Sequence, residues 1–347
     1  MIFKNSKIAI IADLHLGVHR NNPVWHEIAI NYAKWLNEIL KEHNIKDIMF
    51  CGDWFHYRDE INVSTIDVSA KILDILKDFN IVMIPGNHDC FLKSAATINS
   101  LSMYKVGRNI RVFDTLHTED VFNRTVSFVP WGVAVDQIPT SDVVFGHFEL
   151  ANFRINNFKM CDHGEDYNTL LKQSRITFTG HFHLNQERVF DGGTIIYVGN
   201  TFQMDFGDAE RPKFVYLYDF IENSYTTIEN TVSPKHIVLK ASEVETGIDD
   251  KTKEVISNNI VRLHVDKKIV PENVDKISAK LSQFKPINYS VDYKVDVDKI
   301  EMNTNSDTEL KGIDISTMID EFIDLMEIEN KGDVRKYVNT LYKDCVK

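Results

Sequence analysis

Five short polar stretches of the chain carry side chains that could perform metal-dependent chemistry. They are "DLH" at 13–15, "GDWFH" at 52–56, "GNHD" at 86–89, "GH" at 146–147 and "GHFH" at 180–183. Their carboxylates, imidazoles and one amide form a mixed oxygen and nitrogen donor set without a thiolate. Such a set suits manganese, iron or zinc better than calcium or a structural zinc. The residue types therefore predict a metal site.

The chemistry of these stretches fits two cations. Two cations about 3.5–4 Å apart can clamp a phosphoryl group and generate a hydroxide nucleophile at neutral pH. Such a pair needs a bridging carboxylate, for which Asp53 is the natural candidate, and Asn87 can fill a coordination position without adding charge. His88, next to Asn87, is predicted to stay off the metals and to act as an acid or to stabilise the charged transition state. Asp89 is expected to orient His88.

Each of the five stretches follows an apolar run that predicts a strand. These runs lie at 7–12, 47–51, 81–84, 142–145 and 176–179, and further runs lie at 125–129, 194–198 and 213–218. Apolar residues at helical spacing predict helices over 24–43 and 63–79. This alternation predicts a layered α/β core with helices on the sheet faces. Because open α/β sheets place their sites outside the carboxyl ends of their strands, the five stretches are expected to converge.

The pattern of predicted strands and helices changes after about residue 235. A strand at 259–266, a helix at 271–284 and an alternating strand at 287–297 predict a small second domain over 235–298. The polar segment that begins the region 299–347 is interpreted as a linker, and two short amphipathic helices follow it. These helices would dock either on their own domain or on a partner. The predicted domains are thus 1–234, 235–298 and 299–347.

The composition limits the binding partners and the cellular compartment that the protein can have. The net charge of −12 argues against a grip on nucleic acid by the whole surface, unless metal cations or a partner supply positive charge. No apolar stretch approaches the about 20 residues of a membrane span, and the N-terminus is predicted to be a first strand and not a signal peptide. The four cysteines form no CxxC pair, which predicts free thiols in a reducing, cytoplasmic setting.

In their order, the five stretches resemble the motifs of the calcineurin-like metallophosphoesterases, over roughly residues 7–200. "DLHLG" at 13–17 and His56 in "GDWFH" are similar to the SbcD-type DNA nucleases of double-strand-break processing, and the compact chain is most similar to those of T-even-type tailed phages. "YVGNTFQMDFGD" at 197–208 resembles that family's Gly-Ser segment, with Asn200 in place of the usual Ser. The resemblance implies an α-β-β-α core, a DNA-contacting capping domain and C-terminal helices.

The resemblance also implies roles for single residues. One metal would be held by Asp13, His15 and His183, the other by Asn87, His147 and His181, with Asp53 bridging the two. His88 would assist phosphodiester cleavage, and His56 would lie near the substrate strand. The family uses two Mn²⁺ ions and dimerises through helices near the site, which would be 63–79 and 93–105 here. Its partner is an SbcC-type ATPase, which would also supply much of the grip on DNA.

Three functions are therefore weighed. The favoured one is a manganese-dependent DNA nuclease subunit for recombination and repair, an exonuclease on duplexes and an endonuclease on single strands. The first alternative is a stand-alone phosphodiesterase or phosphatase that acts on small molecules and needs no partner helices. The second is an inactive scaffold that only binds DNA or the ATPase, which the complete ligand set disfavours.

Overall fold

The computed structural model describes residues 2–105, 109–156, 159–245, 247–266 and 271–293, together with 323, 331–332 and 334–338. Residues 1–294 form one compact unit and residues 295–347 form a second. In the second unit the described positions are helical. The predicted linker and most of the two predicted C-terminal helices lie outside the described residues.

Seventeen short strands lie in the described part of the first unit. In chain order they are β1 Lys7–Ile11, β2 Asp47–Cys51, β3 Asn80–Ile84, β4 Cys90–Leu92, β5 Ala95–Asn99, β6 Ile110–Val112, β7 His117–Val121, β8 Arg124–Val129, β9 Ser141–His147, β10 Ser174–Gly180, β11 Gln186–Phe190, β12 Gly193–Tyr197, β13 Phe214–Asp219, β14 Ser224–Glu229, β15 His236–Lys240, β16 Ile260–Val265 and β17 Asn288–Tyr293. All eight strands predicted in the first two-thirds of the chain are present.

Two six-stranded sheets hold the core. The first has the strand order β14-β13-β1-β2-β3-β6, with β1, β2, β3 and β6 parallel. The second has the order β11-β12-β10-β9-β8-β7, with β12, β10, β9 and β8 parallel. The parallel strands run from β1 to the edge strand β6 in the first sheet and occupy the four central positions of the second, so the carboxyl ends of neighbouring strands meet at one edge.

The helices are α1 Val18–Asn21, α2 Pro23–Glu42, α3 Val63–Ile75, α4 Tyr167–Gln173, α5 Ala241–Val244, α6 Asp250–Ile256 and α7 Pro271–Ser282. The Asn22 side chain accepts a hydrogen bond from the N–H of Val24 and so caps α2, and Asn62 caps α3 through the N–H of Ser64. Among the described residues, none of these helices is both long and apolar enough to span a membrane.

Alternate residues of each central strand pack on opposite faces, and this produces the layers. Ala9 and Ile11 of β1 pack with α2 and α3, whereas Ile8 and Ile10 face the second sheet. On β9, Val143 packs between the sheets, and Val144 packs on the outer side with Leu170 of α4. The predicted layered α-β-β-α core is confirmed.

Residues 236–293 build a separate three-stranded parallel sheet in the order β15-β16-β17. This sheet has its own apolar core, to which α5, α6 and α7 contribute Ala241, Ile256 and Leu281. The strand and helix predicted at 259–266 and 271–284 are both present. The compact unit that contains this sheet begins at the N-terminus of the chain.

The helix implied at 93–105 is wrong. Residues 95–99 form β5, which pairs antiparallel with β4, and 100–104 form a single 3₁₀ turn. β-branched Thr97 and Ile98 favour an extended backbone, and the pairing with β4 satisfies backbone groups that a helix would otherwise satisfy. Helix α3 is present but ends at Ile75 and not at 79, because the chain turns at Leu76 and Phe79 to enter β3.

Candidate metal centre

The loops after β1 and β2 run side by side and project their side chains beyond the first sheet. The N–H of Asp13 donates to the carbonyl of Gly52 at 2.9 Å, and the N–H of His15 donates to the carbonyl of Asp53 at 3.0 Å. Asp13, His15 and Asp53 have φ values of 52°, 48° and 62°. A left-handed backbone costs L-residues roughly 1–2 kcal/mol each. The packing of the two loops therefore holds these three side chains in positions that the local sequence alone would disfavour.

The first group of ligands combines the loop after β1 with the loop after β10. His15 Nε2 lies 2.9 Å from His183 Nε2 and 3.9 Å from Asp13 Oδ1. Asp13 and His15 are buried. Two imidazole nitrogens and a carboxylate oxygen thus converge on one point, which is the arrangement a divalent transition metal requires.

The second group of ligands combines the loop after β3 with the ends of β9 and β10. Asn87 Oδ1 lies 3.0 Å from His147 Nε2 and 2.8 Å from His181 Nδ1. The other ring nitrogen of His147, Nδ1, lies 2.8 Å from the carbonyl oxygen of Cys51, to which it can donate. That hydrogen bond fixes the tautomer and leaves Nε2 free to coordinate a cation.

Asp53 connects the two groups. Its Oδ2 atom lies 3.6 Å from His15 Nε2 in the first group and 3.4 Å from His147 Nε2 in the second. Its Oδ1 atom accepts a hydrogen bond from the N–H of His88 at 2.8 Å. One carboxylate oxygen therefore faces both groups, as a bridge between two cations requires.

A family model described as calcineurin-like phosphoesterase matches residues 6–199, which is more than half of the chain. The chain belongs to the calcineurin-like phosphoesterase family. Members of this metallophosphoesterase family bind divalent metals at a two-metal site, and the two ligand groups described above provide the donors for such a site. The chain therefore carries the donor set from which this family builds its two-metal site.

Two further proteins are similar to this phosphoesterase. An uncharacterized protein of Acanthamoeba polyphaga mimivirus is 22% identical across 88% of this chain, which spans only 25% of that relative's length. A solved structure described as a novel archaeal phosphodiesterase is 14% identical, with a TM-score of 0.38, over 65% of this chain and 99% of its own.

Two further histidines of the phosphoesterase lie beside the first ligand group. His88 Nδ1 is 2.6 Å from the carbonyl oxygen of His56, and the His88 ring lies 4.8 Å from the ring of His15. The His56 ring stacks on that of His88 at 5.3 Å, and His56 Nδ1 lies 3.4 Å from His15 Nδ1. Both side chains are half-buried. The structure thus gathers every sequence-predicted site residue into one cluster, in which His56 contacts the ring nitrogen of His15 that faces away from His183.

The hypothesis that Asp89 orients His88 is not what the structure shows. The buried Asp89 carboxylate accepts hydrogen bonds from the backbone N–H groups of Asp53, Trp54 and Phe55 at 2.8–3.0 Å, and from that of Gly86 at 3.0 Å. Asp89 therefore fixes the backbone that carries Asp53, and the carbonyl of His56 takes the position expected for an orienting partner of His88.

The charges of the cluster are unevenly distributed. Burial opposes ionisation of Asp53, but the charge and hydrogen bond of His147, together with the charges of His15 and His88, outweigh burial and lower the pKa of that carboxyl far below its usual value. Burial likewise opposes protonation of His147, but Asp53 raises the pKa of His147 to about 9. Burial lowers the pKa of His15 well below its usual value and that of His181 to about 3. Without metals, His147 therefore carries a proton at neutral pH.

Metal uptake at neutral pH is expected to release a proton from His147. A histidine must be neutral to coordinate a cation, and the pKa of His147 in the metal-free phosphoesterase is about 9. Apparent metal affinity should therefore rise as the pH increases from 7 towards 9. Calorimetry in two buffers with different ionisation enthalpies would measure the released proton. Equal heats in both buffers at pH 7 would contradict the expectation.

Gly86 is expected to tolerate no side chain. A Cβ atom at this position would lie 2.2 Å from Asp53 Oδ1, 2.5 Å from Asp53 N and 2.7 Å from His147 Cε1. Gly86→Ala should lower the free energy of unfolding by about 1–3 kcal/mol and weaken metal binding, because both contacted residues must move. Gly192→Ala, whose nearest neighbour would be 3.5 Å away, is the matched control. Chemical denaturation would measure the stability of both variants. Equal free energies of unfolding for the two would contradict the expectation.

Sequence reasoning missed a buried ion pair that supports the loop after β10. Lys213 Nζ donates to Asp208 Oδ1 at 2.7 Å and to the carbonyl oxygen of His183 at 2.9 Å. Asp208 also accepts from the side-chain amide of Asn200 at 2.9 Å. In the sequence, the segment 197–208 is distinguished only by its resemblance to the Gly-Ser segment, with Asn200 in place of Ser, and nothing marks Lys213. Its role in placing His183 is visible only in three dimensions.

Trp131 and Glu149 were also missed. The Trp131 ring lies 5.1 Å from the ring of His181, and its Nε1–H donates to the carbonyl of Lys93 at 2.7 Å. Glu149 Oε1 lies 3.7 Å from His181 Nε2, the ring nitrogen that does not face Asn87. Glu149 follows His147 by two residues on the chain, and this spacing was the only available signal.

Proposed function

We propose that this chain is a manganese-dependent DNA nuclease subunit that hydrolyses phosphodiesters, degrading duplex ends and cutting single strands. The observation that carries the proposal is the position of Asp53 Oδ2 between the two ligand groups, 3.6 Å and 3.4 Å from their histidines. A site of this form can hold two cations across one phosphoryl group. Support for DNA as the substrate comes from His56. This residue of "GDWFH" narrows the family resemblance to the SbcD-type nucleases, and its ring stacks on His88 beside the first ligand group.

In this proposal two bound divalent cations would polarise the phosphoryl group and activate water for attack on phosphorus. The new P–O bond forms from water as the bond from phosphorus to the leaving sugar oxygen breaks, and that oxygen takes up a proton. His88 is the residue proposed to donate the proton or to stabilise the charge that develops. The carbonyl of His56 orients His88 by holding its Nδ1 at 2.6 Å.

Manganese is proposed as the metal because of the donor types. The cluster offers two aspartates, one amide oxygen and four histidines, and it includes no thiolate. Carboxylate and amide oxygens with imidazoles suit manganese and iron, whereas thiolates would favour softer metals. The resemblance to SbcD-type nucleases points to Mn²⁺ within this range.

The net charge of −12 requires an additional source of affinity for DNA. An SbcC-type coiled-coil ATPase is proposed as the partner that supplies it, docked by the C-terminal helices of the region 299–347. The bound cations would contribute the remaining positive charge at the scissile phosphate. The sheet of residues 236–293 is proposed as the capping element that contacts DNA.

A homodimer is proposed through the surface formed by α3 and the β4–β5 hairpin. Val63 and Ile66 on α3, and Phe91, Leu92 and Ile98 on the hairpin, are apolar and exposed. Contiguous apolar patches on a surface are typical of protein interfaces, and these side chains are proposed to form one. The hairpin takes the place of the second helix that the resemblance implied.

Phe91→Asp is expected to dissociate the dimer, since a charge would be buried at the centre of the proposed interface. Sedimentation velocity should show a dimer for the wild type and a monomer for the variant. Ile221→Asp is the control, because Ile221 is equally exposed but lies on the turn between β13 and β14. A wild type that sediments as a monomer, or a dimeric Phe91→Asp, would reject the surface.

The proposed function is tested by cleavage of end-labelled linear duplex DNA in Mn²⁺, with a chromogenic phosphodiester assayed in parallel. Degradation of the duplex, alone or with an SbcC-type ATPase and ATP, supports the nuclease. Hydrolysis of the small phosphodiester without cleavage of DNA under either condition would reject it in favour of a small-molecule phosphodiesterase. Bound metal without hydrolysis of either substrate would indicate a scaffold.

A further inference from the structure

A second cluster of metal-ligand side chains lies outside the two-metal centre. Glu149, Cys161 and His163 each present one donor atom, and the three atoms lie within 4.8 Å of one another. Glu149 Oε1 is 3.2 Å from His163 Nε2. None of these residues is among the ligands described above. The cluster differs in chemistry from the first, because it includes a sulfur donor.

The backbone around the cluster is tightly connected. The N–H of Glu165 donates to the carbonyl of Glu149 at 2.7 Å, and the N–H of Cys161 donates to the carbonyl of Phe153 at 2.8 Å. Gly164 has a φ of 94°, and a Cβ atom there would lie 2.4 Å from the Glu149 carbonyl oxygen. The end of β9 and the segment 161–165 are thus held against each other, so the three donors are brought together before any cation binds.

The orientation of His163 is that of a metal ligand. Asp162 Oδ1 lies 2.8 Å from His163 Nδ1, so that nitrogen can donate to the carboxylate. The interaction with Asp162 leaves Nε2, which lies 3.2 Å from Glu149 Oε1, as the nitrogen that can coordinate a cation. Metal-binding histidines usually donate their second ring N–H to a carboxylate or carbonyl in this way.

The burial of Cys161 and the exposure of His163 also suit a metal site. Cys161 is buried, and its Sγ lies 3.0 Å from the carbonyl oxygen of His163, to which the thiol can donate. His163 is 60% exposed, which gives a cation a path to the sulfur. Burial raises the pKa of the Cys161 thiol, so binding would displace its proton to produce the thiolate ligand.

We propose that Glu149, Cys161 and His163 bind a single thiophilic divalent cation of the zinc class, with water as a fourth ligand. Three protein ligands and an open position, in a mixed sulfur, nitrogen and oxygen set, are typical of accessible tetrahedral zinc sites. The site does not depend on the proposed nuclease function. It shares Glu149 with the surroundings of His181, since Glu149 Oε1 is 3.7 Å from His181 Nε2. Occupancy would therefore withdraw Glu149 from a ligand of the two-metal centre.

The sulfur ligand makes the site visible by spectroscopy. Titration of the metal-free full chain with Co²⁺ should produce a thiolate-to-cobalt charge-transfer band, to which the oxygen and nitrogen donors of the two-metal centre cannot contribute. Zinc binding, measured as metal retained per chain after desalting, should reach three equivalents. Cys161→Ser should lose the band and one equivalent of zinc. Cys345→Ser, which removes a different thiol, should keep both.

His163→Ala provides a second variant that leaves the core intact, because the His163 side chain is largely exposed. It should lower cobalt affinity at the sulfur-containing site by about 100-fold while two equivalents of zinc remain bound. A wild type that shows no sulfur charge-transfer band would overturn the proposal. So would a Cys161→Ser variant that keeps the band or the third equivalent of zinc.

Discussion

Asp53→Asn is expected to lose tight binding of both metals and, with it, about 1000-fold or more of the hydrolytic activity. Asp53 Oδ2 faces His15 Nε2 at 3.6 Å and His147 Nε2 at 3.4 Å, so the substitution removes an anion that faces both ligand groups. An amide presents a single neutral oxygen and cannot compensate two adjacent cations. Isothermal titration calorimetry with Mn²⁺ would measure the loss.

The matched control for this variant is Asp142→Asn, the same chemical change at the opposite end of the strand that carries His147. Asp142 accepts a hydrogen bond from the N–H of Thr125 at 3.0 Å, which an amide oxygen can also accept. A second readout is the pKa of His147 in the metal-free protein, which should fall from about 9 because burial then acts without the opposing charge of Asp53. Two undisturbed metal sites in Asp53→Asn would refute the bridging role.

His88→Ala is expected to keep both metals and to lose about 10²–10⁴-fold of the cleavage rate. His88 Nδ1 is engaged by the carbonyl of His56 at 2.6 Å, and only its backbone N–H contacts Asp53. The side chain can therefore be removed without removing either ligand group. Steady-state cleavage of DNA, with metal content measured on the same samples, separates the two effects.

His117→Ala is the control for His88→Ala. It removes a half-buried histidine whose ring contacts Phe113 and Phe128, and it should leave cleavage unchanged. His88→Gln should not rescue the rate, because an amide cannot donate a proton to a leaving oxygen. Loss of metal from His88→Ala would instead make His88 a ligand, in keeping with its position near His15 and His56.

Strand ends could be predicted because they depend on local patterns. Asp13, Asp53 and Asn87 each follow a short run of buried residues, and His147 ends one. Parallel neighbours then bring these side chains to one edge. The pairing of β4 with β5 was not predictable in this way, because Phe91, Leu92 and Ile98 stay exposed instead of alternating between core and solvent.

The supporting residues could not be predicted because their partners are distant in sequence or are backbone atoms. Lys213 meets the carbonyl of His183, 30 positions earlier, and a single lysine before a strand carries no signal of burial. Asp89 suggested a pair with its neighbour His88, but its carboxylate turns instead to backbone N–H groups more than 30 positions away. Such contacts depend on how the sheets pack, which periodicity does not specify.

The two-metal centre draws its ligands from the strand ends of both large sheets, and His15 and His183, which would hold one cation, are 168 positions apart. Closing a loop of this length costs chain entropy before any coordination bond can offset it. The centre can therefore be complete only after the sheets have packed on each other, late in folding. Bound cations would then slow unfolding without accelerating folding. The metals would therefore stabilise a chain that has already folded.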